Sequence, residues 1–91
     1  MSAKIYILVG VNNQYSERTE WIVTAYYNQA AAVEHAVLAK TESQNIEKEF
    51  NEGNYGINTE NKYDPKNSHY WNNNYEVHEV EIFDAIPGID V

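Results

Sequence analysis

The stretch Lys4-Ile5-Tyr6-Ile7-Leu8-Val9-Gly10-Val11 decides the fold, because it is apolar on both of its alternating faces. Side chains of an extended strand point alternately to its two sides. One side therefore carries Ile5, Ile7, Val9 and Val11, and the other carries Tyr6 and Leu8. A strand with water on one side alternates apolar and polar residues, so two apolar sides indicate a strand that is covered on both. We predict that residues 4–11 form the central strand of a sheet.

Length and composition limit what the rest of the chain can do. The 91 residues suffice for one small domain, residues 1–91, with a core of limited size. The absence of cysteine excludes a disulfide framework and a thiolate metal site, and it favours a reducing compartment. The longest apolar run, Ile5 to Val11, is far shorter than the roughly 20 residues that span a bilayer, and it lacks the flanks of a signal peptide. We expect a cytoplasmic protein that does not bind membranes.

The net charge of −8 is unevenly distributed along the chain. Residues 1–41 are balanced, whereas residues 42–91 carry eleven acidic residues against Lys48, Lys62 and Lys66. A protein that binds nucleic acid directly needs a basic surface, and this sequence has none. Two interpretations of the acidic half stay open. It can imitate nucleic acid on the surface of a partner, or it can simply keep a small protein soluble.

A hairpin is predicted at the start of the chain. The first strand leads into a polar loop, Asn12 to Thr19, and then into Glu20 to Tyr27, which is rich in aromatic and β-branched residues and is typical of a strand. The two strands should pair. The eight-residue loop is longer than a tight hairpin needs, and long loops in compact domains are often functional.

A helix should follow the hairpin. Asn28 is a good N-cap, and Gln29 to Lys40 is rich in alanine and other strong helix formers. Four small or branched apolar residues recur at helical spacing and are predicted to face the sheet: Ala30, Val33, Ala36 and Val37.

The second half of this helix does not continue the same face. Ile46 and Phe50 lie nearly opposite it if the helix is unbroken. The helix must then either kink between Thr41 and Gln44 or pack its second half against something other than the sheet. Gly53 is expected to end it.

The remaining chain contains a long irregular segment and one more strand. Residues 51–74 show no period and many asparagines and aromatic residues, which is typical of a disordered or a functional loop. Tyr75 to Phe83 has the composition of a strand, and its apolar phase switches between Val77 and Val80. That switch predicts a bulge near His78 and Glu79. The tail, residues 84–91, should be peripheral.

These elements predict an α+β fold with the order ββαβ. A right-handed crossover through the helix returns the third strand parallel to the second, so it pairs with the free side of the first. The result is a three-stranded antiparallel or mixed sheet of order 2-1-3, with one helix on one face and a long aromatic and asparagine-rich loop. One helix cannot cover both faces. Either the loop of residues 51–74 or a second protomer must cover the other, and we expect a homo-oligomer, most simply a dimer.

Two short motifs carry a resemblance. Tyr15-Ser16-Glu17-Arg18-Thr19-Glu20-Trp21-Ile22-Val23 precedes the alanine-rich helix, and Tyr63-Asp64-Pro65 precedes the last strand. This combination resembles a family of small uncharacterised phage and bacterial proteins that share a Tyr-Ser-Asp/Glu-Arg-x-Glu-Trp segment. The likeness covers most of the chain, and Asn72-Asn73-Asn74 departs from it where the family has small residues and threonine. It implies a phage or mobile-element setting in the host cytoplasm, where small acidic proteins commonly antagonise host defence.

The first motif also has binding chemistry of its own. Arg18 is the single arginine, and its rigid donor fork suits a carboxylate or a phosphate. Aromatic side chains beside it offer flat faces on which a base could stack. The predicted ligand site comprises Tyr15, Arg18, Glu20, Trp21, Tyr63, Asp64, Tyr70 and Trp71. The structural alternative is that Arg18 pairs with Glu20 or Asp64 and holds loop 51–74 on the hairpin.

No residue pattern indicates catalysis. Three histidines, His35, His69 and His78, lack the spacing of a metal site, and no glycine-rich phosphate loop or nucleophile with a neighbouring base is present. We therefore expect no metal, cofactor or enzyme activity. The first functional expectation is a phage-type protein that counters host defence by sequestering a small nucleotide-like ligand. The alternative is an anti-CRISPR-like inhibitor whose acidic surface blocks a nucleic-acid-binding host defence protein.

Overall fold

The computed structural model describes residues 3–13, 17–53, 60–65 and 73–83. Its elements, in chain order, are β1 (Ala3–Asn12), β2 (Thr19–Tyr26), α1 (Gln29–Asn51) and β3 (Asn73–Ile82). The sheet has the order β2-β1-β3, and β1 pairs antiparallel with both neighbours. The α+β class, the ββαβ order and the central position of the first strand are confirmed. The tail, residues 84–91, lies outside the described residues.

Strand register divides the sheet into two faces. Gly10 of β1 lies opposite Trp21 of β2 and Tyr75 of β3, and directly opposed residues point to the same side of a sheet. Tyr6, Leu8 and Gly10 therefore belong to the face on which α1 packs, which we call the helix face. Ile5, Ile7, Val9 and Val11 belong to the other side, which we call the open face. Leu8 and Val11 are fully buried, one on each face.

A bulge is present, but in β2 rather than in β3. The pairing of β1 with β2 shifts between Leu8 and Val9, so that Val23 is the extra residue of β2. The pairing of β1 with β3 is continuous, and the predicted bulge near His78 and Glu79 is wrong. The apolar phase switches without a bulge because both faces of the sheet accept apolar residues. Val77 lies beside Leu8 on the helix face, and Val80 lies beside Ile5 on the open face.

One unbroken helix, α1, crosses from β2 to β3. The Asn28 Oδ1 atom accepts a hydrogen bond from the Ala31 N–H at 3.1 Å, which caps the N-terminus. Gly53 follows the last turn with a φ of 89°, and its N–H donates to the Phe50 carbonyl. Both predicted ends of the helix are therefore confirmed, and the helix continues without a break through Thr41 to Gln44, where a kink was one of two alternatives.

The buried side of α1 differs from the predicted one. The residues that it buries are Ala32, Ala39, Ser43 and Ile46. Val33 and Val37 of the predicted face are 46% and 59% exposed. At about 100° of rotation per residue, the two faces differ by about a third of a turn. The face of α1 that is buried includes the polar residues His35 and Ser43, so the apolar periodicity alone did not reveal it. Ile46 and Phe50 belong to this face, which is why they did not continue the predicted one.

Candidate functional site

The predicted ligand residues do not share one side of the sheet. Trp21, Tyr63 and Asp64 lie on the helix face, where they contact each other or α1. Arg18 and Glu20 lie at one end of the open face, because Glu20 pairs with Val11 and Arg18 binds it. Tyr15, Tyr70 and Trp71 lie outside the described residues. The five described residues therefore form two separate clusters.

The first cluster is centred on the carboxylate of Asp64, which is 1% exposed. Its Oδ2 atom accepts hydrogen bonds from the Trp21 indole N–H and the Tyr75 hydroxyl, both at 2.8 Å. Its Oδ1 atom is buried and has no hydrogen-bond partner among the residues that the structure describes. Burial and the Asp64 carboxylate together raise the pKa of Tyr75 far above its ordinary value, so its hydroxyl stays protonated and donates. Asp64 thereby ties segment 60–65 to both β2 and β3.

Glycine at position 10 makes this arrangement possible. The Trp21 indole lies directly over Gly10, and a Cβ atom at that position would overlap the ring atoms. Gly10 is the point of the central strand at which the indole can approach the backbone closely. The close approach places the indole N–H within reach of Asp64.

Asn61 and His35 attach the same segment to α1. The Asn61 side-chain amide donates to the Ala39 carbonyl at 2.9 Å, and its Oδ1 atom accepts from the Tyr63 N–H at 3.0 Å. The His35 Nε2 atom lies 2.6 Å from the Tyr63 carbonyl, and its Nδ1 atom lies 2.7 Å from the Tyr26 hydroxyl. A carbonyl only accepts, so in the neutral ring Nε2 carries the proton and Tyr26 donates to Nδ1. Both ring nitrogens are engaged, and His35 has no lone pair for a metal.

The second cluster joins β2 to β3 across the open face. The Arg18 Nε atom donates to Glu20 at 2.8 Å, and one terminal nitrogen donates to both oxygens of Glu76 at 3.0 and 3.2 Å. His78 Nε2 lies 3.0 Å from Glu76. His78 and then Arg18 lower the pKa of Glu76, and Glu20 and then Glu76 raise that of Arg18. The stabilisation from Glu76 is thus present at neutral pH and is lost as the pH falls through its lowered pKa.

The sequence analysis singled out Arg18 and Asp64, but it did not identify the main hydrogen-bond and ion-pair partners of these two residues. Arg18 pairs with Glu20, as the structural alternative proposed, and with Glu76, which the motif did not contain. Asp64 holds the loop to the hairpin through Trp21 and Tyr75 rather than through Arg18. Among the residues that the structure describes, no three potential ligands are grouped as a metal site.

The second half of α1 presents a different kind of surface. Together with the C-cap residue Glu52 we call it the acidic half-helix, and its carboxylates are Glu42, Glu47, Glu49 and Glu52. None of the four forms an ion pair within the described part of the chain. Two hollows of about 500 and 370 Å³ open beside them, with Lys48 on their rims. The sequence signalled this surface only through its excess of negative charge after residue 41.

Comparison of the chain with protein-family models, with curated proteins and with solved structures finds no match. Within the described ranges, no helix is both long and apolar enough to cross a membrane.

Proposed function

We propose that this protein is a non-enzymatic binding protein that counters host defence by covering a basic, nucleic-acid-binding surface of a defence protein with its acidic half-helix. The observation that carries the proposal is the set of four carboxylates on the second half of α1 and its C-cap that have no cationic partner in the described structure. The phage setting comes from the resemblance of the Tyr15 to Val23 motif and of Tyr63-Asp64-Pro65.

The spacing of these carboxylates suits a surface that normally binds a phosphate backbone. Glu42 and Glu49 are seven residues apart, which is two helical turns, so they share one side of α1 at about 10 Å along its axis. Glu52 follows one turn later on that side, and all three line the 370 Å³ hollow. Proteins that bind nucleic acid align lysines and arginines along the phosphates. A row of carboxylates along a rigid helix can form ion pairs with these lysines and arginines.

The hollows add shape to this charge. The larger hollow is lined by Lys48 and by four carboxylate or amide side chains, which are Gln44, Glu47, Asn51 and Glu52. Carboxylate and amide oxygens accept hydrogen bonds, and a carboxylate can accept both prongs of a guanidinium group. The surface can therefore receive individual arginine side chains of a partner in addition to exerting a general attraction.

Sequestration of a nucleotide-like ligand, the first expectation from the sequence, has less support from the geometry. Arg18 already binds two carboxylates on the open face. Trp21 lies against Gly10 and donates to Asp64 on the helix face. A ligand that used both side chains would have to displace the Arg18 ion pairs and reach around the sheet.

Neutralising the acidic half-helix should abolish the activity without unfolding the protein. We expect a Glu47→Gln, Glu49→Gln, Glu52→Gln variant to lose protection of a sensitive phage by at least about tenfold, because exposed charge pairs steer and orient a partner. The measurement is the plating efficiency of phages on a panel of strains, each of which expresses this protein and one nucleic-acid-binding defence system, including CRISPR effectors.

A matched variant separates position from total charge. Glu17→Gln, Glu34→Gln, Glu79→Gln removes the same three charges from elsewhere on the described surface and should keep its protection. Equal loss in the two triple variants would show that net charge alone matters. Full activity of the acidic half-helix variant would contradict the proposal.

A further inference from the structure

The open face of the sheet carries an exposed apolar surface along part of its length. Its central row is contributed by β1 and consists of Ile5, Ile7 and Val9, whereas Val11 beyond them is buried. The register places Ile22 and Ala25 of β2 and Val80 and Ile82 of β3 on the same side. Ile22 is 58% exposed, and Val80 and Ile82 are 38% and 39% exposed. Branched apolar side chains of both edge strands therefore extend the central row, and Glu76 and His78 interrupt it on β3.

Helix α1 and segment 60–65, which are described outside the sheet, lie on its other side. Segment 60–65 reaches Trp21 and Tyr75 through Asp64, and both of these side chains belong to the helix face. Helix α1 reaches Tyr26 of the same face through His35. Segment 60–65 belongs to the loop of residues 51–74 that was one expected cover for the open face, and it contacts the helix face instead. Residues 54–59 and 66–72 of that loop lie outside the described residues.

The open face is large enough for an interface between two copies. Two strands of ten residues and one of eight, at about 3.3 Å per residue and about 4.8 Å apart, give a footprint of about 33 by 14 Å. Two such faces together would bury on the order of 1,000 Å², which is at the small end of specific protein interfaces. Exposed apolar patches of a few hundred Å² often mark interaction sites.

The charges on the open face favour a second copy over other partners. Arg18 forms ion pairs with both Glu20 and Glu76 at one end of the face and so offsets one of their two negative charges, and His78 binds Glu76 there. In the strand register Glu79 lies opposite Tyr6 and Glu81 lies opposite Lys4, so both carboxylates point to the helix face. Two chains of net charge −8 repel each other least through the surface whose charges are already paired. A basic partner is drawn to the acidic half-helix instead, and an anionic membrane repels the chain.

We propose that the open face is the interface of a symmetric homodimer in which two sheets pack face to face. An isologous two-fold contact buries the same apolar row from each protomer, with the sheets about 10 Å apart as in other packed sheets. The arrangement leaves both copies of the acidic half-helix on the outside. It is independent of the proposed function, because it uses the opposite side of the molecule.

Two equally exposed residues provide a matched test. Ile22 on the open face is 58% exposed and Val37 on α1 is 59% exposed. Ile22→Glu and Val37→Glu therefore each introduce one negative charge at an equally exposed position. Sedimentation of the wild-type protein at micromolar concentrations should give twice the 10.5 kDa chain mass. Ile22→Glu should raise the dimer dissociation constant on the order of a hundredfold, because the buried charge occurs twice in a symmetric interface. Val37→Glu should leave it unchanged.

The outcomes separate the proposal from its alternatives. A monomeric wild-type protein across the concentration range, or a dimer that Val37→Glu weakens as much as Ile22→Glu does, would overturn it. Val80→Glu on β3 is the second variant, should Ile22→Glu fail to fold as judged by circular dichroism. It should weaken the dimer in the same way, and an unaffected dimer in Val80→Glu would contradict the interface.

Discussion

Gly10→Ala should destabilise the protein by about 3 kcal/mol, a large effect for the addition of one methyl group. The new Cβ atom overlaps the five- and six-membered ring atoms of Trp21. The indole must then move away from β1, which breaks its hydrogen bond to Asp64 and opens the packing between β1 and β2. Urea unfolding followed by circular dichroism measures the change.

A double-mutant cycle identifies the cause of this loss. In a Trp21→Ala background the methyl group meets no indole, so Gly10→Ala should cost much less there than in the wild-type protein. An equal cost in both backgrounds would show that glycine is required for its backbone conformation and not for the approach of Trp21. Gly53→Ala provides a reference for backbone strain alone, since Gly53 has a φ of 89° and open space around it.

Asp64→Ala should cost about 3 kcal/mol as well, through a different mechanism. The substitution leaves the Trp21 N–H and the Tyr75 hydroxyl without their acceptor in a buried site. It also releases segment 60–65 from the sheet, so amide hydrogen exchange at Asn61 and Tyr63 should accelerate. Thermal or urea unfolding gives the stability, and exchange measured by NMR gives the local effect.

Asp64→Asn is the informative comparison for this site. The asparagine carbonyl keeps an acceptor at the position of Oδ2, and the substitution removes a carboxylate whose Oδ1 atom has no partner within the described ranges. We expect its stability to stay within about 1 kcal/mol of the wild-type value. A loss in Asp64→Asn as large as that in Asp64→Ala would show that the negative charge, rather than the two accepted hydrogen bonds, holds the segment.

The fold could be predicted largely because the pattern of apolar residues in one strand determines the position of that strand in the sheet. The two apolar sides of Lys4 to Val11 require a central position, and the crossover rule then fixes the order β2-β1-β3. The buried side of α1 could not be found in the same way. His35 faces the sheet because Tyr26 and the Tyr63 carbonyl satisfy its nitrogens, and these partners come from distant parts of the chain.

The sequence predicted less well which of the site residues lie together. Part of the reason could have been seen in the sequence itself. Successive residues of a strand point to opposite faces, so Glu20 and Trp21 could not both belong to one flat pocket. Tyr75 and Glu76 divide in the same manner, one toward Asp64 and the other toward Arg18. What the sequence could not supply is the position at which segment 60–65 docks, since Trp21 and Asp64 are 43 residues apart and no periodic element joins them.

The acidic half-helix, rather than Arg18, should carry the activity, and plating of a sensitive phage on defence-expressing cells with the Arg18→Ala variant tests this most directly. Arg18 lies in an exposed cluster of ion pairs on the open face, and such pairs contribute little to stability. We expect the Arg18→Ala protomer to fold and to protect the phage fully, even though the variant leaves Glu20 and Glu76 without their ion pairs on the open face and should weaken the dimer. Loss of protection in Arg18→Ala with an unchanged melting temperature would contradict this expectation and would indicate a ligand held by the guanidinium group.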